Sequence, residues 1–131
     1  MLLGFDFGTR RIGVAVGQRI TATARPLLTI RVAHDRPDWE AIGTLMAEWQ
    51  PEAAVVGLPL NMDGSEQAIT SRARRFSRQL NGRFGLPVHL MDERLSTREA
   101  ARRLADDGRP VTHLDPHAAA LILESWLNAN V

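Results

Sequence analysis

Lysine is absent from this chain, and so is cysteine. Without cysteine there are no disulfides, no thiolate metal ligands and no sulfur nucleophile. Without lysine, all 16 basic side chains are arginine, the planar and permanently charged partner that grips phosphate with two prongs. That choice is compatible with a nucleic-acid ligand, and it also follows from a genome whose base composition favours arginine codons. Long apolar runs are missing too. None approaches the roughly 20 residues that span a bilayer, and the opening MLLGFDFGTRR lacks the apolar stretch of a secretion signal. The expectation is a soluble, cytoplasmic protein.

What is present suits one domain over residues 1–131. The chain is 44% hydrophobic, enough to bury a core, and its formal charge is only +1. Residues 2–7 and 11–18 read as two strands of a hairpin turning at Gly8-Thr9-Arg10, and residues 22–32 as a third strand, with Pro26 pointing to a sheet edge. Between Pro37 and Gln50 the large residues Trp39, Ile42, Leu45, Met46 and Trp49 recur at three- and four-residue spacing, which predicts a helix closed by Pro51. Ala53–Leu58 (AAVVGL) is a strand of the kind buried on both faces. The loop PLNMDGS leads into a second helix with Ile69, Ala73, Phe76 and Leu80 inside, followed by a strand at Pro87–Met91. Ser96-Thr97-Arg98-Glu99 is a capping box, predicting a helix from Ser96 to near Gly108. Asp115-Pro116 opens a last helix, with Ala119, Ile122, Leu123, Trp126 and Leu127 on its core side. Three meandering strands followed by alternating helices and strands imply an α/β fold: a mixed five-stranded sheet flanked by about four helices.

Three carboxylates stand out. Asp6 lies between two phenylalanines inside an apolar strand, where an ionised group is expensive without a partner. A divalent cation would be one partner, and the backbone of the Gly8–Arg10 turn another. Asp92 and Glu93 sit where a strand hands over to a helix, the end of a parallel sheet where ligands gather; they could equally pair with Arg94 and Arg98 on the surface. Asp115 is placed to cap the last helix, yet its four-, seven- and eleven-residue spacing to Ala119, Ile122 and Trp126 continues the buried stripe toward the sheet. Three acids converging from a strand, a strand end and a helix start would suit Mg²⁺, which takes a few carboxylates and completes its shell with water and phosphate. Such a site can activate water for phosphodiester hydrolysis.

Arginine is concentrated on the second helix. No acid occurs between Glu66 and Asp92, while Arg72, Arg74, Arg75, Arg78 and Arg83 do. Arg74, Arg75 and Arg78 lie opposite its buried stripe, giving a one-sign face that could track a polyanion or simply be solvated. Arg10 and Arg11 stand beside the Asp6 strand, closer to a scissile phosphate.

The blocks GFDFGTRRIGVAVGQ, VVGLPLNMDGS, MDERLST and LDPHAAALIL resemble, in order and spacing, the signature blocks of the YqgF family. The likeness covers essentially the whole chain. Members of that family are described as Holliday-junction resolvases and as pre-16S rRNA nucleases. The resemblance implies an RNase H-like fold, a catalytic metal site of Asp6, Glu93 and Asp115, and Mg²⁺ or Mn²⁺ as cofactor. It also implies structured RNA (pre-16S rRNA) or branched DNA as partner, for a monomer or weak homodimer. It places the loop Gly57–Gly64 at the border of the site, where Asn61 would orient substrate or shape a turn. Arg94, beside Glu93, is also expected among the residues that meet nucleic acid. One departure is the short segment Asp106–Leu114, in which Arg109 is the single permanent cation and where members often carry a longer basic loop. His113, in that segment, is placed to assist a leaving group or to be a loop side chain.

The expected function is therefore a metal-dependent nuclease in processing of pre-16S rRNA. A Holliday-junction resolvase is the alternative, and a non-catalytic RNA-binding module is the reading from another class. The Asp-x-Gly-Thr string at Asp6 also resembles the phosphate loop of actin-like kinases, but those enzymes close two lobes and this chain has residues for one.

Overall fold

The computed structural model describes residues 1–94 and 116–130. Six strands form one sheet in the order β4-β3-β2-β1-β5-β6. The strands are β1 (Leu2–Phe7), β2 (Arg11–Gln18), β3 (Thr23–Ala33), β4 (Arg36–Pro37), β5 (Ala53–Leu58) and β6 (Val88–Asp92). Each of β1 to β4 runs antiparallel to its neighbour in the series, while β5 lies parallel to β1 and β6 parallel to β5. Two helices, α1 (Trp39–Trp49) and α2 (Ala68–Phe84), connect these strands, and a C-terminal helix spans Pro116–Ala129. The helix expected over Ser96–Gly108 lies outside the described residues. No described helix is long and apolar enough to cross a membrane.

The sheet has six strands where the sequence suggested five. The extra strand comes from a tight turn at His34-Asp35, whose φ angles of 52° and 62° are both left-handed. Two consecutive positive φ values are what a two-residue hairpin needs to match strand twist, and His and Asp adopt them more readily than most residues. The chain folds back so that Ala33 pairs with Arg36 and Val32 with Pro37. Pro37 therefore ends a strand instead of opening the helix. α1 begins after Asp38, whose carboxylate accepts from the Ala41 N–H at 3.1 Å, and it stops at Gln50, in the left-handed conformation. β4 covers only the end of β3, so Pro26 lies where the outer side of β3 is open, consistent with its missing N–H.

Each face of the sheet carries its own core. Leu3, Phe5 and Phe7 of β1 turn to α1 and α2, packing with Val14, Val56, Ile42, Ala73, Phe76 and Leu80. Phe76 touches Phe5, Phe7 and Trp39 at ring-centroid distances of 5.3–5.6 Å. The opposite face holds Leu2 and Val55 against Ile122, Leu123, Trp126 and Leu127 of the C-terminal helix. Glycine makes this second contact possible. A Cβ on Gly4 would stand 2.7 Å from Leu123 Cβ, and one on Gly17 would stand 2.9 Å from Leu123 Cδ2. These distances are below any real Cβ contact, so the helix lies almost directly on the strand backbones. Ala119 sits over Gly4, and Leu127 lies over Gly17, which pairs with Leu2. The helix thus runs antiparallel to β1, with its N-terminal end toward the carboxyl end of that strand.

Candidate active site

The alternation of β1 puts Asp6 on the face of Gly4, the side of the C-terminal helix. All six residues of β1 are buried, and Asp6 is only 2% exposed. Its register partner on β2 is Gly13. One step beyond the Phe5–Val56 pair on the other side comes Gly57 of β5. Neither flanking glycine puts a side chain of its own beside the acid, and Glu93 and Ile122 take up the room over Gly57. A Cβ on Gly57 would lie 2.8 Å from Glu93 Cγ and 2.9 Å from its Cδ.

Glu93 directly follows β6, at the carboxyl end of the parallel strands. Its carboxyl group hydrogen-bonds Asp6. Burial first, then that bond and the charges of Asp6 and Asp92, push its pKa up to about 9. At neutral pH the pair consequently holds a proton in the hydrogen bond between its two carboxyl groups. Two acids at this separation cannot both ionise without a counter-charge.

Asp92 belongs to a different arrangement. Arg94 donates to it from Nε at 2.9 Å and Nη2 at 2.6 Å, and its backbone N–H donates at 2.9 Å. These bonds hold the Asp92 carboxyl below its usual range. Arg94 also donates to the Met62 carbonyl at 3.3 Å, tying the end of β6 to the loop after β5. In that loop Asn61 donates its side-chain amide to Ser65 Oγ at 2.9 Å, and Gly64 turns the chain with φ 90°. Ser65 donates from both its N–H and its hydroxyl to Asp63, at 2.9 and 2.6 Å. Asn61 and Arg94 are therefore both engaged in holding this loop.

The arginines singled out in the sequence separate into two groups. Arg10 and Arg11 are exposed at the β1–β2 turn, the Asp6 end of the strand, and pair with no carboxylate among the described residues. Arg74, Arg75 and Arg78 lie on α2, across the sheet from the Asp6 carboxylate. Arg74 pairs with Glu66 at 2.7 Å, while Arg75 and Arg78 are exposed. Asp115 and His113 lie outside the described residues; the next residue after Asp115, Pro116, begins the C-terminal helix. Among the described residues, no three acidic or imidazole groups are gathered as for a metal ion. Sequence reasoning missed the two glycines that make room for the pair. A lone glycine in the otherwise bulky run AAVVGL is the signal that marks such a close approach.

A mixed sheet with an acid near the carboxyl end of β1 and a second acid at a parallel strand end defines the RNase H-like class of α/β folds. The fold of Thermus thermophilus RuvC is shared at a TM-score of 0.56, with 18% identity and coverage of 98% of this chain and 94% of that one; the structure is of "T. thermophilus RuvC in complex with Holliday junction substrate". At the level of sequence, residues 1–129 match the RuvX family, described as "Holliday junction resolvase". A Pseudomonas putida protein is 53% identical over 99% of this chain and 96% of its own length. Proteins of Klebsiella pneumoniae (95% and 93% covered) and Azotobacter vinelandii (97% and 92%) are each 56% identical. All three carry the name "Putative pre-16S rRNA nuclease". The chain belongs to the RuvX family, the one its YqgF-like blocks indicated, and its chemistry is that of a nuclease, a hydrolase of phosphodiester bonds.

Proposed function

We propose that this protein cleaves a precursor of 16S ribosomal RNA in the cytoplasm, at a centre formed by Asp6, Glu93 and Asp115 around Mg²⁺ or Mn²⁺. The observation that carries the reading is the contact between Asp6, buried within β1, and Glu93, seated over Gly57 at the end of the parallel strands. The same pair, with both groups ionised, is a hard oxygen donor set that a divalent cation would neutralise, so these residues fit such an ion. When bound, the cation supplies Lewis acidity, lowering the pKa of water and polarising a phosphoryl oxygen. The chain's own contribution is placement. Asp6 is held by its pairing with Gly13 of β2 and directly follows the Phe5–Val56 pair with β5, and Glu93 is seated over Gly57. Asp115 is the third candidate because it directly precedes the helix that packs on Gly4. Arg10 and Arg11, exposed at the same strand end, are placed to hold the phosphate on either side of the cut. Asn61 and Arg94 act indirectly, by shaping the neighbouring loop.

The names of the relatives support RNA as substrate. The family description, and the junction bound in the RuvC structure, favour a second reading: resolution of four-way DNA. That activity needs two centres facing two strands, hence a symmetric dimer. Cleavage of precursor rRNA and of a four-way DNA junction, each with Mg²⁺ or Mn²⁺, separates the two. The expected result is RNA cleavage by the wild type, slowed more than about 100-fold in Asp6→Asn, beyond the roughly 10–100-fold typical of outer-shell changes. Equal cutting by Asp6→Asn removes this centre from the chemistry, and junction cleavage alone selects the second reading.

A further inference from the structure

Beside Asp6, three successive strands each carry an arginine on the same face of the sheet. Arg11 of β2 pairs directly with Arg31 of β3, and Ala33 of β3 pairs with Arg36 of β4. Strand alternation settles the face. Ile12, Ile30 and Val32 pack into the core of α1 and α2, and Pro37, which pairs with Val32, is buried with them. Arg11, Arg31 and Arg36 therefore project to the other side, the side of Gly13 and Asp6. All three are exposed. With strands about 4.8 Å apart, the row runs roughly 15 Å outward from the carboxylate pair, one cation per strand.

The row is electrostatically incomplete. Like charges directly opposite one another across two strands are destabilising, and among the described residues no carboxylate pairs with Arg11, Arg31 or Arg36. The acids nearest in sequence are occupied elsewhere: Asp35 pairs with Arg72 of α2 at 3.1 Å, and Asp38 caps α1. On α2, Arg72 and Arg74 are neutralised and Arg75 and Arg78 are exposed, but the helix lies on the opposite face from Asp6.

We propose that Arg11, Arg31 and Arg36 form the track along which the phosphodiester backbone of the substrate strand leaves the cleavage centre, and that the arginine face of α2 is not that track. The proposal rests on Asp6 and Glu93 being the nuclease centre. It makes Arg31 and Arg36 substrate-binding residues that read charge and not base sequence.

The test measures binding of a fluorescein-labelled RNA hairpin with a single-stranded tail, by anisotropy over a range of salt concentrations, with Ca²⁺ in place of Mg²⁺. Arg31→Ala/Arg36→Ala is expected to weaken binding at least about 10-fold at low salt and to flatten the log Kd–log salt slope by about 1.5, from two lost phosphate contacts. Arg31→Lys/Arg36→Lys keeps the charges and should restore the slope, which separates lost contacts from lost folding. Arg75→Ala/Arg78→Ala should change neither quantity. A wild-type slope in the Arg31/Arg36 alanine pair overturns the track, as does a loss confined to the Arg75/Arg78 pair. In either case wild-type binding and cutting leave the nuclease centre standing. A wild type that neither binds nor cuts the RNA or a four-way DNA junction overturns both.

Discussion

Replacing Glu93 with glutamine tests the shared proton directly. The amide side chain would have nearly the same shape and would still offer an N–H to the Asp6 carboxylate, but it cannot ionise. In the wild type, the folded protein holds a proton on Glu93 up to about pH 9, whereas an unfolded chain releases it near 4.5. Between those values the folded state binds one proton more than the unfolded state, so stability must fall as pH rises. The slope for one proton is about 1.4 kcal/mol per pH unit. Wild-type protein in EDTA should therefore lose roughly 3–4 kcal/mol more than Glu93→Gln between pH 5 and pH 8. At pH 5, where the Glu93 carboxyl is neutral in the folded state, the two should lie within about 1 kcal/mol. Urea unfolding at successive pH values measures this, and titrating groups remote from the pair cancel in the difference. Saturating Mg²⁺ should lift the wild type at pH 8 and leave the glutamine variant where it was. Parallel stability curves for the two proteins in EDTA would refute the shared proton.

Two further substitutions probe how the site is seated. Gly57→Ala would bring a methyl 2.6 Å from Ile122 Cδ1 and 2.8 Å from Glu93 Cγ, so it should displace Glu93, slow cleavage and lower stability by about 1–3 kcal/mol; wild-type turnover with an unchanged melting curve would contradict that crowding. Phe76→Ala removes the ring on which Phe5, Phe7 and Trp39 converge and should cost about 3–5 kcal/mol in denaturant unfolding, whereas a loss below about 1 kcal/mol would show that the far-face core closes up around the gap.

Most of the architecture was readable from hydrophobic spacing. β1, β2 and β5 fall where the apolar runs are, because strands at the centre of a sheet bury every residue and leave a continuous signal. The β3–β4 hairpin was not readable, since its turn uses His34 and Asp35 where the common sequence signal is Asn-Gly. The acids show the same division. Asp6 was conspicuous because nothing else polar interrupts β1, and the strand end did bring Glu93 to it. Nothing in the string Asp92-Glu93-Arg94, however, says that Asp92 turns to Arg94 while Glu93 turns inward. That depends on Gly57, a neighbour only through the parallel pairing of β5 and β6. The side of the sheet on which the α2 arginines stand was hidden for a related reason. Helical spacing correctly put Arg74, Arg75 and Arg78 outside α2, but which side of the sheet a helix covers is set by the crossover and not by its own periodicity. Asp115 and the helix expected at Ser96 lie outside the described residues.

The position of Asp6 also sets how much that acid can move. β1 is hydrogen-bonded to a neighbour on each side and covered above and below, so its amides open to solvent only when the whole molecule does. A carboxylate on such a strand shares the slowest motions in the protein. Whatever opening admits a substrate must therefore come from the other side of the encounter, from the arginines and loops that surround a fixed point.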